Sequence, residues 1–342
     1  MPVPATTPGD PDVVLSASIA YDYIMSFPGS FGDHILPEKT HVLSLSFLVD
    51  SLRRLRGGVA GNIAYNLALL GVHCSLIGAV GTDFEPYRAV FDDLGIDMTH
   101  VINVPGELTA SAFMMSDLRS NQIAAFYPGA SSHATEIAIS EVARRARYGL
   151  VGAAAPDTMR RHAAEIAGAG SRLIYDPSQQ VVALSSDDLN AGFDGAWSVI
   201  GNDYEYAMIQ QKVGLSIEDL TDKVELFVIT YGDQGSELRQ GGHRVRVPAA
   251  KAVRVDDPTG AGDAYRAGFI KGLLLGADLD VIGRIAGLTA TYAVEHKGTQ
   301  EHVFTPEEFV TRFDTAFPDY AGAVEVNQLR RAAAKESSLS RS

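Results

Sequence analysis

The chain has 342 residues, 46% of them hydrophobic, which is enough to form one large domain with a smaller appendage. Its formal charge of −14 disfavours nucleic acid and anionic lipid as partners, so a phosphate-bearing ligand needs a local device such as backbone amides, a helix terminus or Mg²⁺. The single cysteine, Cys74, excludes an intrachain disulfide and a cysteine-based metal cluster. Residues 1–12 lack the apolar core of a signal peptide and no apolar run reaches the length of a membrane span, which predicts a cytoplasmic protein without membrane partners.

Short apolar runs alternate with helix-like periodicity along most of the chain. The predicted strands are 13–20, 73–80, 149–152, 173–176, 197–201 and 226–231. The predicted helices are 59–70, 85–94, 261–275, 279–295 and 306–313. Such alternation is typical of a parallel sheet covered by helices on both faces and built from right-handed crossover units. An antiparallel hairpin is expected over 236–247, with its turn at Gly241 and Gly242.

Two segments, approximately 23–57 and 107–127, interrupt this alternation. Their shorter apolar runs predict the strands of a small accessory sheet. These runs are 42–49, 111–115 and 122–126. The main domain is expected over 13–313, and polar composition predicts flexible ends at 1–12 and 330–342.

The strongest local signal is the heptapeptide Asp257-Pro258-Thr259-Gly260-Ala261-Gly262-Asp263. Pro258 opposes a helix before it, whereas good helix formers follow from Ala261. Gly260, Ala261 and Gly262 are therefore predicted at a helix N-terminus, where unpaired amides and the helix dipole attract an anion. Such a site stabilises charge on a transferring phosphoryl group, and Asp263 in the first turn is a candidate to accept a proton from an attacking hydroxyl. Simple helix capping is the alternative explanation.

This heptapeptide resembles the C-terminal signature of the PfkB/ribokinase family, usually a DTxGAGD pattern. Residues 56–62 (RGGVAGN) are similar to the glycine motif near the N-terminus of that family, and the resemblance runs in order over roughly residues 13–310. It implies a ribokinase-like three-layer α/β/α fold, with a central, mainly parallel sheet and a small β-lid formed by the two accessory segments. It also implies an ATP-dependent phosphotransferase in which Asp263 is the catalytic base.

Two further motifs of the family have counterparts that imply an ATP site with Mg²⁺. Asn202 and Glu205 match its NxxE motif, whose glutamate organises Mg²⁺ and water near the phosphates, although Asn202 alone also suits a helix N-cap. Thr230, Gly232 and Gly235 match the TxGxxG turn that borders the nucleotide, although glycines with positive φ are also ordinary in such turns.

Two positions near the heptapeptide have less specific signals. Arg266 lies one turn after Asp263 and is a candidate phosphate contact, with an ion pair on the helix surface as the alternative. Many relatives bind K⁺, and the resemblance extends such a site to the neighbourhood of Asp257, although no pattern of this sequence itself indicates a cation site.

The acceptors of the family include sugars, nucleosides and vitamins, so the fold alone does not give the substrate. Ser18 and Asp22 follow the first predicted strand, at the end where α/β proteins bind ligands. A carboxylate there can bind the two vicinal hydroxyls of ribose, and Asn62 with the backbone at Gly58 would complete this sugar site.

Four other residues point to a nucleoside base. Gln179 and Gln180 follow the strand predicted over 173–176, and a glutamine amide can bond both N6 and N7 of adenine. Phe113 and Phe126, in the second lid segment, are candidates to stack on the base, with ordinary packing of the lid as the alternative.

Five strings resemble the bacterial adenosine kinases of this family more than ribokinases. They are SLSFLVD (44–50), DPSQQ (176–180), NDYE (202–205), RAGF (266–269) and KGTQE (297–301). The resemblance implies transfer of the γ-phosphate of ATP to the 5′-hydroxyl of adenosine. The alternatives are a kinase acting on a free sugar or another nucleoside, and a catalytically silent nucleoside-binding protein. A homodimer through the lid is also expected, in which Ser46 would contribute across the interface.

Overall fold

The computed structural model describes residues 9–34, 45–119 and 121–330. The strands within these ranges are β1 (Val13–Ser16), β2 (Ala20–Ser26), β3 (Ser51–Gly57), β4 (Cys74–Val80), β5 (Asp97–Asn103), β6 (Ala110–Ser116), β7 (Gln122–Tyr127), β8 (Tyr148–Val151), β9 (Arg172–Tyr175), β10 (Ser198–Asn202), β11 (Leu226–Thr230), β12 (Ser236–Gln240) and β13 (His243–Val247). The helices are α1 (Val59–Leu69), α2 (Glu85–Asp93), α3 (Ser140–Arg145), α4 (Pro156–Ala169), α5 (Ser186–Gly195), α6 (Asp203–Val213), α7 (Ile217–Asp222), α8 (Ala261–Leu275), α9 (Leu279–Val294), α10 (Pro306–Ala316) and α11 (Val326–Leu329).

The large sheet has the strand order β13-β12-β11-β10-β9-β8-β1-β4-β5. The strands from β11 to β5 are parallel, and β12 and β13 add an antiparallel hairpin at one edge. Alternate residues of β1 contribute to two separate apolar clusters, Leu15 to one and Val14 to the other. Both faces are therefore covered, which confirms the predicted ribokinase-like α/β fold and explains why its central strands are continuous apolar runs.

Two differences from the predicted strands have physical reasons. The run predicted as one strand over 13–20 is divided, because β1 ends at Ser16 and the chain enters the lid at Ala20. The strand β5 was not predicted, because it pairs only with β4 at the sheet edge and mixes buried with exposed residues.

The lid is a four-stranded sheet in the order β3-β2-β6-β7, formed by the two segments expected from the sequence. Of the apolar run predicted as a lid strand, residues 45–49 are not in a strand, and residues 42–44 lie outside the described ranges. Phe47 instead packs edge-on against Phe27 and Phe31, and the three rings form an aromatic cluster beside the lid.

At the start of the domain the backbone N–H of Asp12 donates to the carbonyl of His73, at 2.8 Å, so the chain is fixed just before β1. Most of the residues predicted as flexible ends, 1–12 and 330–342, lie outside the described ranges. Among the helices given above, none is long and apolar enough to cross a membrane.

Candidate active site

The glycine-rich heptapeptide forms the start of α8, as predicted. Gly260 is the N-cap and has a left-handed backbone with φ of +79°. A Cβ at this position would lie 2.8 Å from Cγ2 of Thr299, so both the conformation and the space require glycine. Gly262 is exposed, and Asp263 lies in the first turn of the helix. The start of α8 is therefore open to solvent at Gly262, as an anion site requires.

Asp263 is held by Asn62, whose Nδ2 donates to its carboxylate at 2.8 Å. Asn62 is 4% exposed and lies in the first turn of α1, so residues 201 positions apart meet between two helix N-termini. Ser18 fixes this end of α1, since its Oγ accepts from the N–H of Val59 at 3.0 Å. Gly58, the N-cap of α1, has φ of +86° and lies against the backbone of residues 18–20. The predicted sugar-binding positions and the predicted base thus converge.

The carboxylates at this site have raised pKa values. Burial raises the pKa of Asp263 to about 6, although the charge of Arg266 and the hydrogen bond from Asn62 oppose the rise. Burial also raises the pKa of Asp22 to about 6, with further contributions from the charges of Asp263 and Asp257. Asp263 is nevertheless only partly buried and remains open to the cleft. A pKa of about 6 leaves Asp263 mostly ionised at neutral pH and closer to the operating pH than an ordinary aspartate, which suits a general base.

Arg266 lies beneath the start of α8 and forms a buried ion pair. Its guanidinium contacts both carboxylate oxygens of Asp176, with Nη2 at 2.6 Å from Oδ1, and Nη2 lies 4.0 Å from Glu205. Burial lowers the pKa of Arg266, but the carboxylates of Asp176, Asp263 and Glu205 together raise it above its ordinary value. Arg266 is 7% exposed, so it is neither in a surface ion pair nor free for a phosphate in this conformation.

The NDYE string lies where β10 leads into α6. Asn202 is the N-cap of α6: its side chain accepts from the N–H of Glu205 at 2.7 Å, and the Glu205 carboxylate accepts from the N–H of Asn202 at 2.9 Å. Asn202 is also paired with Thr230 of β11, so both residues lie at the carboxyl edge of the large sheet. The capping role expected as the alternative is therefore present, and it orients Glu205 towards Arg266.

A cavity of about 540 Å³ extends from the start of α8 along the hairpin edge of the large sheet. It is lined by Thr230, Gly232, Gly235 and Gly262, which brings the predicted nucleotide turn and the anion site to one opening. The sequence did not point to the opposite wall, formed by residues 248–252 and by Gly283, Gly287, Ala290 and Thr291 of α9. The small residues at helical spacing on α9 were the available signal.

The strand register divides the two lid phenylalanines between opposite faces. Asp22 is paired with Ala112, which is paired with Phe126, so Asp22 and Phe126 share one face, the inner face. Phe113 lies on the other, outer face, stacked on Tyr23 with 4.8 Å between ring centroids. Within one chain, Phe126, which is 60% exposed, therefore shares the face of Asp22 and Phe113 does not. Stacking of either ring on a base stays a prediction.

Among the remaining predicted acceptor residues, Gln179 and Ser46 are exposed and Gln180 is half-buried. Gln179 and Gln180 lie in a 3-10 helix, 178–182, after β9, and the hydroxyl of Ser178 donates to Oε1 of Gln179 at 2.6 Å. Ser46 is exposed next to the aromatic cluster of the lid. Neither the base contact of the glutamines nor a role of Ser46 across an interface follows from these positions, and both stay predictions.

In the described residues no three His, Cys, Asp or Glu side chains converge as a metal cage. The donors present fit a magnesium ion that is held mainly by phosphate oxygens and water, with Glu205 as the nearby carboxylate. Near Asp257 the carboxylate accepts from the N–H groups of Thr259 and Gly298, at 2.9 and 3.2 Å. Both Mg²⁺ at Glu205 and K⁺ near Asp257 stay predictions.

The profile of the pfkB family carbohydrate kinases matches residues 25–306, and the chain belongs to this family of kinases. It is 33% identical to the nucleoside kinase of Methanothermobacter thermautotrophicus over 89% of this chain and 96% of the relative. Among solved structures, the nucleoside kinase of Burkholderia thailandensis in complex with inosine is 37% identical, with a TM-score of 0.81, over 90% of this chain and 98% of that one. The adenosine kinase of Sinorhizobium meliloti, at 22% identity and a TM-score of 0.73, shares the fold over 90% and 99% of the two chains.

Proposed function

We propose that this protein is an ATP-dependent nucleoside kinase that phosphorylates the 5′-hydroxyl of purine nucleosides, adenosine in particular. The observation that carries the proposal is the position of Asp263. Its carboxylate, held at 2.8 Å by Asn62, lies at the start of α8, between the predicted nucleotide cavity and the predicted ribose-binding positions Asp22 and Gly58.

In the proposed reaction Asp263 takes the proton from the 5′-hydroxyl while this oxygen forms a bond to the γ-phosphorus. The bond between the γ-phosphorus and the bridging oxygen breaks, which leaves ADP and a nucleoside monophosphate. The amides of Gly260, Ala261 and Gly262 stabilise the charge on the transferring group. Glu205 would hold a water of a magnesium ion at the phosphates, and such an ion would supply charge neutralisation there.

Two observations support a purine nucleoside over a free sugar. Phe126 is exposed on the lid face that carries Asp22, where an aromatic ring can cover a base. The glutamine pair at 179 and 180 offers amides that suit adenine N6 and N7. Inosine is a second candidate acceptor, because the related kinase of Burkholderia thailandensis was solved with inosine and with ADP and inosine.

The test is release of ADP from Mg-ATP in the presence of adenosine, inosine, guanosine, ribose or fructose 6-phosphate, with the phosphorylated product identified by mass. We expect purine nucleosides to be preferred and AMP to be formed from adenosine. The matched control is Asp263→Asn, which should lower kcat by about 10²–10⁴-fold and leave nucleoside affinity within a few-fold.

Preference for ribose would support the kinase activity but contradict the assignment of a nucleoside as the acceptor. Nucleoside binding without turnover in the wild-type protein would favour a silent nucleoside-binding protein. Normal turnover by Asp263→Asn would contradict the assignment of the base.

A further inference from the structure

Gln300 is a buried amide that the predicted site does not include. It lies in the KGTQE string, is 2% exposed, and reaches across the molecule to α1 and α2. Its Nε2 donates to Oδ1 of Asn62 at 3.0 Å and to the hydroxyl of Tyr87 at 2.6 Å. We propose that Gln300 is a positioning residue for Asp263, acting by fixing which end of the Asn62 amide faces the carboxylate. The proposal concerns this chain's own hydrogen bonds, and its link to turnover rests on the proposed function.

The chemistry of the donors and acceptors carries the argument. An ionised carboxylate only accepts, so a neighbouring Asn stabilises it with the NH₂ group and destabilises it with the carbonyl oxygen. Asn62 donates its NH₂ to Asp263, and its oxygen is therefore left facing Gln300. Only a donor at residue 300 satisfies that oxygen in a buried place, and Gln300 supplies one.

The orientation of Gln300 is itself fixed by Tyr87. The Tyr87 hydroxyl donates to the carbonyl of Gly57 at 2.8 Å, so its oxygen is left to accept from Gln300. Tyr87 is fully buried, and a Cβ on Gly61 would collide with its hydroxyl, which explains a glycine one position before Asn62. The segment around Gln300 is held in turn, since Thr299 donates to the carbonyl of Arg56 at 3.0 Å.

Reversal of the Asn62 amide would place an oxygen against Asp263. The pKa of Asp263 would then rise, because a donor to its ionised form is replaced by a repelling acceptor. The charged groups that act on Asp263 are Arg266, which favours ionisation, and Glu205, which opposes it; Asp22 and Asp176 also interact electrostatically with it. None of these four is a hydrogen-bond partner of Gln300, whose Nε2 bonds Asn62 and Tyr87, so a variant at residue 300 acts on Asp263 through the Asn62 contact.

The experiment is a titration of Asp263 by carboxyl-¹³C NMR in protein labelled at aspartate, with the signal assigned by Asp263→Asn. In Gln300→Met, which keeps the length of the side chain but cannot donate, we expect the midpoint to rise by about half a unit or more. The acid limb of kcat with the nucleoside should move upwards by the same amount, with KM for ATP within about twofold. Unchanged midpoints in the variant and the wild type would overturn the proposal.

A matched control separates positioning from general loss of packing. Tyr65→Phe removes a hydrogen bond of 2.6 Å, from Tyr65 to the carbonyl of His302, that also joins α1 to the chain just after Gln300. It should lower stability without moving the Asp263 midpoint. In an Asn62→Ala background, Gln300→Met should add no further shift, since the effect passes through Asn62; a further shift of equal size would also overturn the proposal.

The NMR titration needs no substrate, so it is independent of the nucleoside assignment. If the wild-type protein fails to phosphorylate any nucleoside but Gln300→Met still raises the midpoint, the proposed function falls and the role of Gln300 stands. If the wild-type protein phosphorylates nucleosides but Gln300→Met does not raise the midpoint, the proposed function stands and the role of Gln300 is overturned.

Discussion

Asp263 combines two demands that conflict, since a base must be ionised to act and this one is taken partly out of water. Its pKa of about 6 exceeds the ordinary value of 3.8, with burial as the main cause. Relative to the unfolded chain, folding therefore favours the protonated form of Asp263. The resulting contribution to stability is fully present below pH 3.8 and is lost as the pH rises through 6.

Asp263→Asn should consequently be more stable than the wild-type protein at pH 8, by on the order of 1–2 kcal/mol, with no difference near pH 3.8. Asn retains an oxygen that accepts from Asn62, so the comparison isolates the charge. Denaturant unfolding at several pH values measures the difference.

Asp188 offers a control of opposite sign. Its contacts with Ser185 and Arg160 lower its pKa to about 2. The stability it contributes is present above the unfolded value and is lost as the pH falls through 2, so Asp188→Asn should weaken the protein at neutral pH. An Asp263→Asn protein that is less stable at pH 8 than at acid pH, relative to the wild type, would contradict the assigned shift.

Arg266 and Asp176 form a pair whose members cannot be removed singly at low cost. Arg266→Met leaves a fully buried carboxylate without its cation, and we expect a loss of about 3–5 kcal/mol in the free energy of unfolding. Adding Asp176→Leu should recover most of this loss, because two apolar side chains then replace the pair.

Chemical denaturation of the two single variants and the double variant measures this coupling. The double variant would regain stability while lacking the Arg266 charge beside Asp263. Its kinetics therefore show what that charge contributes to turnover. Costs of the single variants that simply add would show that the two side chains are not coupled.

At the level of the element, the two ends of α8 have glycines with the same backbone handedness and different surroundings. Gly260 at its start has φ of +79° and lies against Thr299, whereas Gly276 at its end has φ of +66° and nothing within 4 Å of a Cβ. Gly276→Ala should cost about 1 kcal/mol through backbone strain alone.

Gly260→Ala should cost more, on the order of 2–3 kcal/mol, because Thr299 or the helix start must also shift. Only this variant should lower kcat, by about tenfold or more, since the anion site and Asp263 begin the same helix. Equal kinetic losses in both variants, measured beside their unfolding curves, would show that helix stability and not the geometry of its start limits turnover.

The sequence predicted such elements well where the information is local. Pro258 followed by good helix formers placed the start of α8 at Ala261, where the structure has it. The contact of Gln300 with Asn62 was not predicted, because the two residues lie 238 positions apart and no local pattern expresses it. The sequence also could not predict which face of the lid carries Phe113 and which carries Phe126, because the register between β6 and β7 decides this.

At the scale of the whole molecule, the outer face of the lid carries an apolar row. Leu52, Met25, Met115 and Ile123 are paired in a row across all four strands on this face. Leu52 is 62% exposed and Ile123 is 42% exposed. A continuous apolar row on a small sheet suits a second copy related by a two-fold axis, which would place the same row opposite itself. We therefore keep the homodimer through the lid as a proposal.

Sedimentation equilibrium at micromolar concentration should give the mass of a dimer, and Ile123→Asp or Leu52→Asp should give a monomer, because each places a charge in the apolar row. Leu118→Asp is the matched control, since Leu118 is 76% exposed and lies in the turn between β6 and β7, beyond both strands. It should leave the dimer intact. A wild-type protein that sediments as a monomer would contradict the proposal, whereas a dimer that persists in both row variants would place the interface elsewhere.

Because Phe113 shares the outer face, dissociation should also expose its ring. Loss of nucleoside affinity in the monomer would extend the acceptor site across the interface.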